Sequence, residues 1–427
     1  MKISKSILLL ALLGISIAGC DAIFDSKEDA TTDEIFEVGK QDPKAATDVV
    51  GYAALLPFWD GFDNPTDIFI GYDELVYVTD NEGLHVLDLA GRVYRTIPLQ
   101  NASDVTQDRK LNIYVAARYD TVIKAVDSTY AWNLPAVFKI KNANGAGDLQ
   151  FSDTLVYPFA DASRNTFASK TVRLDTTRND NYEKVEVTGL TCLADNNLYV
   201  SRVGPSNATN AIEAPDNIVL EYRPQVVGGE ETEQMQNIRQ IRTLSPTTPS
   251  LISGVGISDI SSFIGPPQRP SKSDSRSFLL AQASQNQNIP FRVLWINAVF
   301  TTDGLVFQPN TTLLQTDTAS ANGFLYEQNK FQEPTGIAYA SDGTNYIFVV
   351  DAGTDSLYQF QSNGHEGVNP PAGSSAEKPI IVSFGGEGSG PKNFNDPSGV
   401  TYFDQIVYVA DKGNNRIARY KLTTDFE

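Results

Sequence analysis

The sequence predicts an all-β chain wound into one closed six-bladed β-propeller, and two observations carry that prediction. The first is a grammar repeated three times. Phe394 to Tyr420 reads F-N-D-P-S-G-V-T-Y-F-D-Q-I-V-Y-V-A-D-K-G-N-N-R-I-A-R-Y. Phe331 to Phe360 pairs F-Q-E-P-T-G-I-A-Y-A with Y-I-F-V-V-D-A-G-T-D-S-L-Y-Q-F, and Phe62 to Leu87 pairs F-D-N-P-T-D-I with L-V-Y-V-T-D-N-E-G-L-H-V-L. Each copy leads through Pro and then Gly or Asp into a short β-branched strand, followed by a second strand ending in Asp and a third alternating strand. The second observation is that helix signals are almost absent, because Val, Ile, Thr, Tyr and Phe alternate between turn residues along most of the chain.

Three weaker copies complete the set. Ser103 to Val105 (S-D-V) precedes I-Y-V-A, Thr188 to Leu190 (T-G-L) precedes L-Y-V-S, and Ser258 to Ile260 (S-D-I) precedes F-L-L-A and V-L-W-I. Six copies fall within the roughly four to eight blades that close a propeller. The last copy stops after its third strand, at Leu422, so an N-terminal strand, Gly51 to Leu56, is expected to supply the fourth and cover the open sheet edge. Pro before an innermost strand removes a donor where no ladder bond is needed. Gly189, Gly336 and Gly399 let neighbouring blades crowd near the axis. Asp80, Asp351 and Asp411 end second strands and are expected to accept N–H bonds from the following turn.

This grammar resembles the NHL-repeat family. The resemblance implies an NHL/TolB-like six-bladed propeller, and it extends in fold to gluconolactonase-type metal hydrolases and peptidyl-hydroxyglycine lyases, which use a channel metal. It covers the blade grammar and not those enzymes' catalytic residues.

From Asp48 onward the chain allots about 63 residues to each blade, against about 40 to 50 in ordinary propellers. The excess is assigned to loops at Pro224 to Gln236, Gly265 to Arg276, Gln308 to Lys330 and Ser362 to Lys378. Between residues 118 and 185 two apolar runs compete for one strand slot, so the limits of the second blade stay open.

The N-terminus carries a separate signal. Lys2 and Lys5 precede the apolar run Ile7 to Ile17, which is too short to span a bilayer, and Ile17-Ala18-Gly19-Cys20 matches a bacterial lipobox. Residues 1–19 read as a lipoprotein signal peptide with Cys20 as the lipidated first residue of the mature chain, anchored through acyl chains worth roughly 0.8 kcal/mol per buried methylene. Residues 20–47 read as an acidic flexible tether and residues 48–427 as the propeller. Asp21 resembles an inner-membrane retention signal, whereas Lys27-Glu28-Asp29 resembles a surface-export signal. The expected location is the cell envelope, with the outer membrane favoured over the inner.

With Cys20 lipidated, Cys192 has no partner for a disulfide and reads as a small core residue. The net charge of −19 argues against nucleic acid or an anionic lipid surface as a partner. His85 and His365 lie in no metal or triad motif, and His85 reads as a strand-surface or interblade residue. The Gly-rich stretch Phe384 to Gly390 opens no helix and is not a phosphate cradle. Trp295 reads as core.

Two constellations remain as candidate sites. Asp67, Asp104 and Asp259 replace the axial glycine in three blades and could meet across the channel as a divalent-cation site, with calcium the candidate ion. Solvated channel residues or turn acceptors are the plainer alternative. Trp59 and Trp132 fall in segments that could form a ligand-stacking face or simply anchor loops. The reading is a lipid-anchored binding or scaffolding module for an envelope protein or glycan, with the membrane touched only through the anchor. The alternative is a divalent-metal-dependent, gluconolactonase-like hydrolase or lyase built on the three aspartates.

Overall fold

A hydroxyl residue, then Asp or Gly, then a branched apolar residue opens every blade: Thr66-Asp67-Ile68, Ser103-Asp104-Val105, Thr188-Gly189-Leu190, Ser258-Asp259-Ile260, Thr335-Gly336-Ile337 and Ser398-Gly399-Val400. The computed structural model describes residues 50–124, 129–164, 181–208, 213–266, 275–302 and 304–426. The expected signal peptide and tether, with Cys20, lie outside the described residues. Among the described residues the strands form six four-stranded antiparallel sheets.

A short strand β1 (Tyr52–Ala54) comes first. Blade 1 follows as β2 (Asp67–Ile70), β3 (Val76–Thr79), β4 (Gly83–Leu87) and β5 (Val93–Pro98). Blade 2 is β6 (Asp104–Gln107), β7 (Ile113–Lys124), β8 (Thr129–Lys141) and β9 (Gln150–Val156), and blade 3 is β10 (Glu186–Cys192), β11 (Leu198–Val203), β12 (Ile218–Val227) and β13 (Glu230–Gln240). Blade 4 is β14 (Ile257–Ser262), β15 (Phe278–Gln282), β16 (Val293–Thr301) and β17 (Gly304–Pro309). Blade 5 is β18 (Pro334–Tyr339), β19 (Ile347–Asp351), β20 (Ser356–Phe360) and the two-residue β21 (Phe384–Gly385). Blade 6 takes β22 (Pro397–Phe403), β23 (Ile406–Asp411) and β24 (Arg416–Leu422) from the end of the chain and β1 from its start, with Tyr52 opposite Leu422 and Ala54 opposite Tyr420.

Inner strands β2, β6, β10, β14, β18 and β22 touch in that order, and β22 returns to β2. The apolar faces of adjacent sheets fill the space between blades, where Phe263 packs on Tyr339 at 4.8 Å and Phe348 on Tyr402 at 5.1 Å. Cys192 is buried in the core between blades 2 and 3.

The strand-ending aspartates tie each blade to its own lead-in loop. Asp351 accepts the N–H groups of Gln332 at 2.7 Å, Glu333 at 2.9 Å and Gly353 at 2.8 Å. Asp80 accepts those of Asp63 and Glu82, and Asp411 accepts Asn395 N–H while pairing with Arg416 Nε at 2.7 Å. In blade 4 the same register position holds Gln282, whose Oε1 accepts Val255 N–H at 3.0 Å. Blade 3 places Arg202 there, and a partner arrives from the connection between blades 2 and 3: Asp161 Oδ2 lies 2.6 Å from Arg202 Nη2, with both side chains buried.

The structure corrects several sequence expectations. The two apolar runs of blade 2 do not compete, because β7 and β8 pair with each other over their full length as one long hairpin. Pro224 to Gln236 is not a loop: β12 and β13 run through it and leave only Gly228 and Gly229 between them. Its charged residues sit on exposed strand faces, where hydrophilicity does not prevent pairing. Gln308 to Lys330 and Ser362 to Lys378 do hold non-strand connections, whereas residues 267–274 lie outside the described residues. Of the two places expected for His85, strand surface or interblade, burial excludes the first: Nε2 lies 2.8 Å from Asp80 Oδ2 and Nδ1 3.0 Å from Thr96 Oγ1.

Asp411→Ala removes the acceptor of Asn395 N–H and the counter-charge of Arg416 together. It is expected to lower unfolding stability by about 2–4 kcal/mol, read from the denaturant midpoint at unchanged m. A loss within the error of the extrapolation would remove the structural role assigned to this carboxylate.

Candidate functional site

An inner strand presents one edge to the propeller axis, and the N–H groups on that edge have no further strand to pair with. The opening tripeptides supply partners from the blade before. Asp67 Oδ2 accepts Val105 N–H at 3.1 Å, Asp104 Oδ1 accepts Leu190 N–H at 2.9 Å, and Asp259 Oδ2 accepts Ile337 N–H at 2.7 Å. The preceding hydroxyls work the same way on carbonyls. Thr66 Oγ1 donates to Ala102 O at 2.8 Å, Ser103 Oγ to Val187 O at 3.2 Å, Ser258 Oγ to Pro334 O at 2.6 Å and Thr335 Oγ1 to Pro397 O at 2.6 Å. Ser398 Oγ closes the circle by donating to Pro65 O at 2.7 Å. Thr188 departs from the pattern and bonds Ser201 Oγ at 3.1 Å.

Where Asp is replaced by Gly the backbones approach instead. A Cβ on Gly336 would stand 2.9 Å from Gly399 Cα, and one on Gly399 would stand 2.8 Å from Asp67 Cα. The axial position therefore takes either a residue small enough for backbone contact or an acid that bridges a wider gap.

Asp67, Asp104 and Asp259 meet at the waist of the channel. All three line a cavity of about 570 Å³ on the side where the inner strands begin, and all three also line a cavity of about 60 Å³ beyond it. They form the floor between the two. Burial pushes the Asp67 carboxyl up to about 6. Burial, with the nearby Asp67 and Asp259 adding to it, holds Asp104 well above the carboxylate range, and burial with Asp67 nearby does the same for Asp259. At neutral pH this floor retains protons and offers hydrogen-bond donors as well as acceptors.

The larger cavity is a cup. Ala117, Pro135, Val187, Val203 and Ile257 give it apolar walls, and Asn81, Asn101, Arg118 and Glu186 give it polar groups. Three of these lining residues share one register position, two residues beyond the second-strand partner of the axial Asp or Gly: Asn81 in blade 1, Arg118 in blade 2 and Val203 in blade 3. Sequence reasoning passed over Arg118 because attention stopped at the strand-ending aspartates. The signal available was that register position, one residue further along.

The structure brings the three predicted aspartates together and keeps the two tryptophans away from the cup. Trp59 is buried at the junction of blades 1 and 6, with its ring 5.6 Å from Tyr408 and beneath the Arg419 guanidinium at 4.7 Å. Trp132 lies on β8 rather than in a loop, buried with Leu134, Tyr157, Tyr182 and Val185. Both are interior anchors and not a stacking face. For the expected calcium ion, the aspartates give a poor fit. Hard cations take six to eight oxygens, and among the described residues no group of three or more His, Cys, Asp or Glu is disposed to hold a metal ion.

The description "NHL repeat" matches residues 394–420, from the lead-in turn of β22 to the third strand of blade 6. The chain carries an NHL repeat. With six blades built on the same grammar, this supports an NHL-type propeller. No curated protein sequence matches the chain. Among solved structures, it is similar to a protein of unknown function from Bacteroides thetaiotaomicron, with 13% identity, a TM-score of 0.47 and coverage of 88% of this chain and 76% of that one. It is also similar to virginiamycin B lyase from Staphylococcus aureus (12% identity, TM-score 0.41, 87% and 99% covered). A third is the calcium-binding protein regucalcin from Agrobacterium tumefaciens (10% identity, TM-score 0.43, 86% and 95% covered).

The pH dependence of the waist follows from the raised Asp67 pKa. Its carboxyl titrates at about 6 when folded and near 3.9 when unfolded, so its stabilising protonated form is fully present below pH 3.9 and is lost as pH rises through about 6. Asp67→Asn keeps an oxygen for Val105 N–H and abolishes the titration. Relative to this variant, the wild type is expected to lose on the order of 2 kcal/mol between pH 4 and pH 8. Parallel stability curves for the two proteins across that range would contradict a buried, protonated Asp67.

Proposed function

We propose that this protein is a non-catalytic binding module of the cell envelope, held there through lipidated Cys20, whose ligand enters the cup above the three axial aspartates. One observation carries the non-catalytic part. Each axial carboxyl accepts a backbone N–H of the following blade, which gives it an architectural task and commits one of its oxygens to the ring. The cup itself supports the binding part, since 570 Å³ lies within the roughly 300–1,000 Å³ range of small-molecule sites, and apolar walls with a few polar groups are the usual composition of such sites.

A protein or a glycan is the partner class this reading favours. The propeller fold alone does not choose between them, because binding proteins and enzymes share it. A metal-dependent hydrolase or lyase would need the three aspartates as ligands, and their hydrogen bonds and retained protons work against that use.

Two measurements test the proposal. Calorimetric titration of the purified full-length chain with calcium is expected to show no stoichiometric binding, and chelator is expected to leave the melting temperature unchanged. Stoichiometric metal that disappears in each of Asp67→Ala, Asp104→Ala and Asp259→Ala would overturn the non-catalytic reading. Cys20→Ser is expected to move the protein from the membrane fraction to the soluble fraction, and retention in the membrane fraction would remove the anchor.

A further inference from the structure

The cup is uneven in charge, and the class of ligand assigned to it rests on its being the binding site. Arg118 is the one cation among the described residues that line it. Its Nη1 donates to Glu183 O at 2.9 Å, and among the described residues no carboxylate pairs with it. Arg164, Arg202, Arg239, Arg276 and Arg416 each have a carboxylate partner, whereas Arg95 and Arg292, like Arg118, bond backbone carbonyls, and neither of those two lines the cup. Acids outnumber bases 52 to 33 in this chain, so the missing partner does not reflect scarcity. A half-buried guanidinium with most of its N–H groups unmatched by protein acceptors is poised for an anion from outside.

The rest of the lining narrows the ligand. Glu186 is exposed on the same wall, and with a net charge of −19 it makes a polyanion unwelcome, so the ligand carries a single negative group. Asn81 and Asn101 at the rim donate and accept, and so do the carboxyls of the floor, which suits hydroxyls rather than a second charge. Ala117, Pro135, Val187 and Val203 offer apolar contact to C–H faces between those hydroxyls.

We infer that the cup takes a small polyhydroxy carboxylate of one- or two-sugar size, in chemical class a uronic acid, with its carboxylate on Arg118 and its hydroxyls on Asn81, Asn101 and the floor. Arg118 is then the residue that sets specificity between an acidic sugar and its neutral parent.

Sodium D-glucuronate and D-glucose, titrated into the full-length protein, test this. The side-chain amide resonances of Asn81 and Asn101 report occupancy of the cup, and calorimetry gives affinity. Glucuronate is expected to shift both amides saturably and to bind about tenfold or more tightly than glucose. Arg118→Gln, at unchanged melting temperature, is expected to bring glucuronate down to the level of glucose, with Arg118→Lys in between. Equal affinity for the two sugars, or a preference that survives Arg118→Gln, overturns the acidic-ligand class and leaves the cup standing as the site. Amides that respond to neither sugar overturn the cup itself, and the inference with it.

Discussion

Six inner strands converge on the axis, and each arrives with an edge that no further strand can cover. In an isolated sheet that edge would be left to water or to another chain. At five of the six joints it is closed by a short bond from the blade before, a hydroxyl on a carbonyl, joined at three of them by a carboxyl on an N–H. Ser398 Oγ on Pro65 O belongs to the same series, so the axis needs no special device where the last blade meets the first. Outside the axis, β1 beside β24 covers the remaining edge of blade 6 and brings Trp59 to the joint between blades 6 and 1.

That arrangement governs the chemistry available in the channel. An acid placed at the axis to bridge two blades is set among backbone groups and close to two others of its kind. Such a group resists ionising: with Asp67 titrating at about 6 and Asp104 and Asp259 held higher, the floor keeps protons at neutral pH and carries less negative charge than three free carboxylates would. The floor separates a wide cup from a narrow space beyond it, so a ligand approaching from the cup meets donors and acceptors. The cation on offer within the cup's wall, among the described residues, is the Arg118 guanidinium. The buried Arg202 is matched internally by Asp161, where blade 3 lacks the strand-ending aspartate.

Much of the fold was legible in the sequence because its period is carried by residues with a stereochemical task. Pro-x-Gly or Pro-x-Asp before a branched residue and Asp at a strand end recur in blades 1, 5 and 6 because each answers the same backbone requirement there. The inner strands of all six copies lie where that pattern put them. The second blade was harder, since an extended hairpin and two separate strands show the same alternation until pairing partners are known. The acidic stretch after Pro224 resembles a loop for a related reason: between Pro224 and Gln236 the paired ends of β12 and β13 expose most of their side chains, so their composition is that of a loop.

The site was legible only in part. That Asp67, Asp104 and Asp259 face the axis followed from their register with Gly189, Gly336 and Gly399, but their hydrogen bonds to the next blade depend on interblade spacing, which sequence does not carry. Trp59 and Trp132 looked available because they sit between recognisable strands, and the packing of Tyr408, Arg419 and Tyr182 against them could not be foreseen. Arg118 occupies a position that repeats from blade to blade with changing identity, and variable identity at a fixed register marks a lining residue more than a framework one.

Native-state hydrogen exchange at the amides of Val105, Leu190 and Ile337 tests the axial bonding most directly. Each of these N–H groups is held by an aspartate of the preceding blade, so all three should exchange only through global unfolding, at one common free energy that falls with denaturant as the global value does. Exchange at these amides through small local openings, insensitive to denaturant and different from one blade to the next, would contradict a ring locked at its axis.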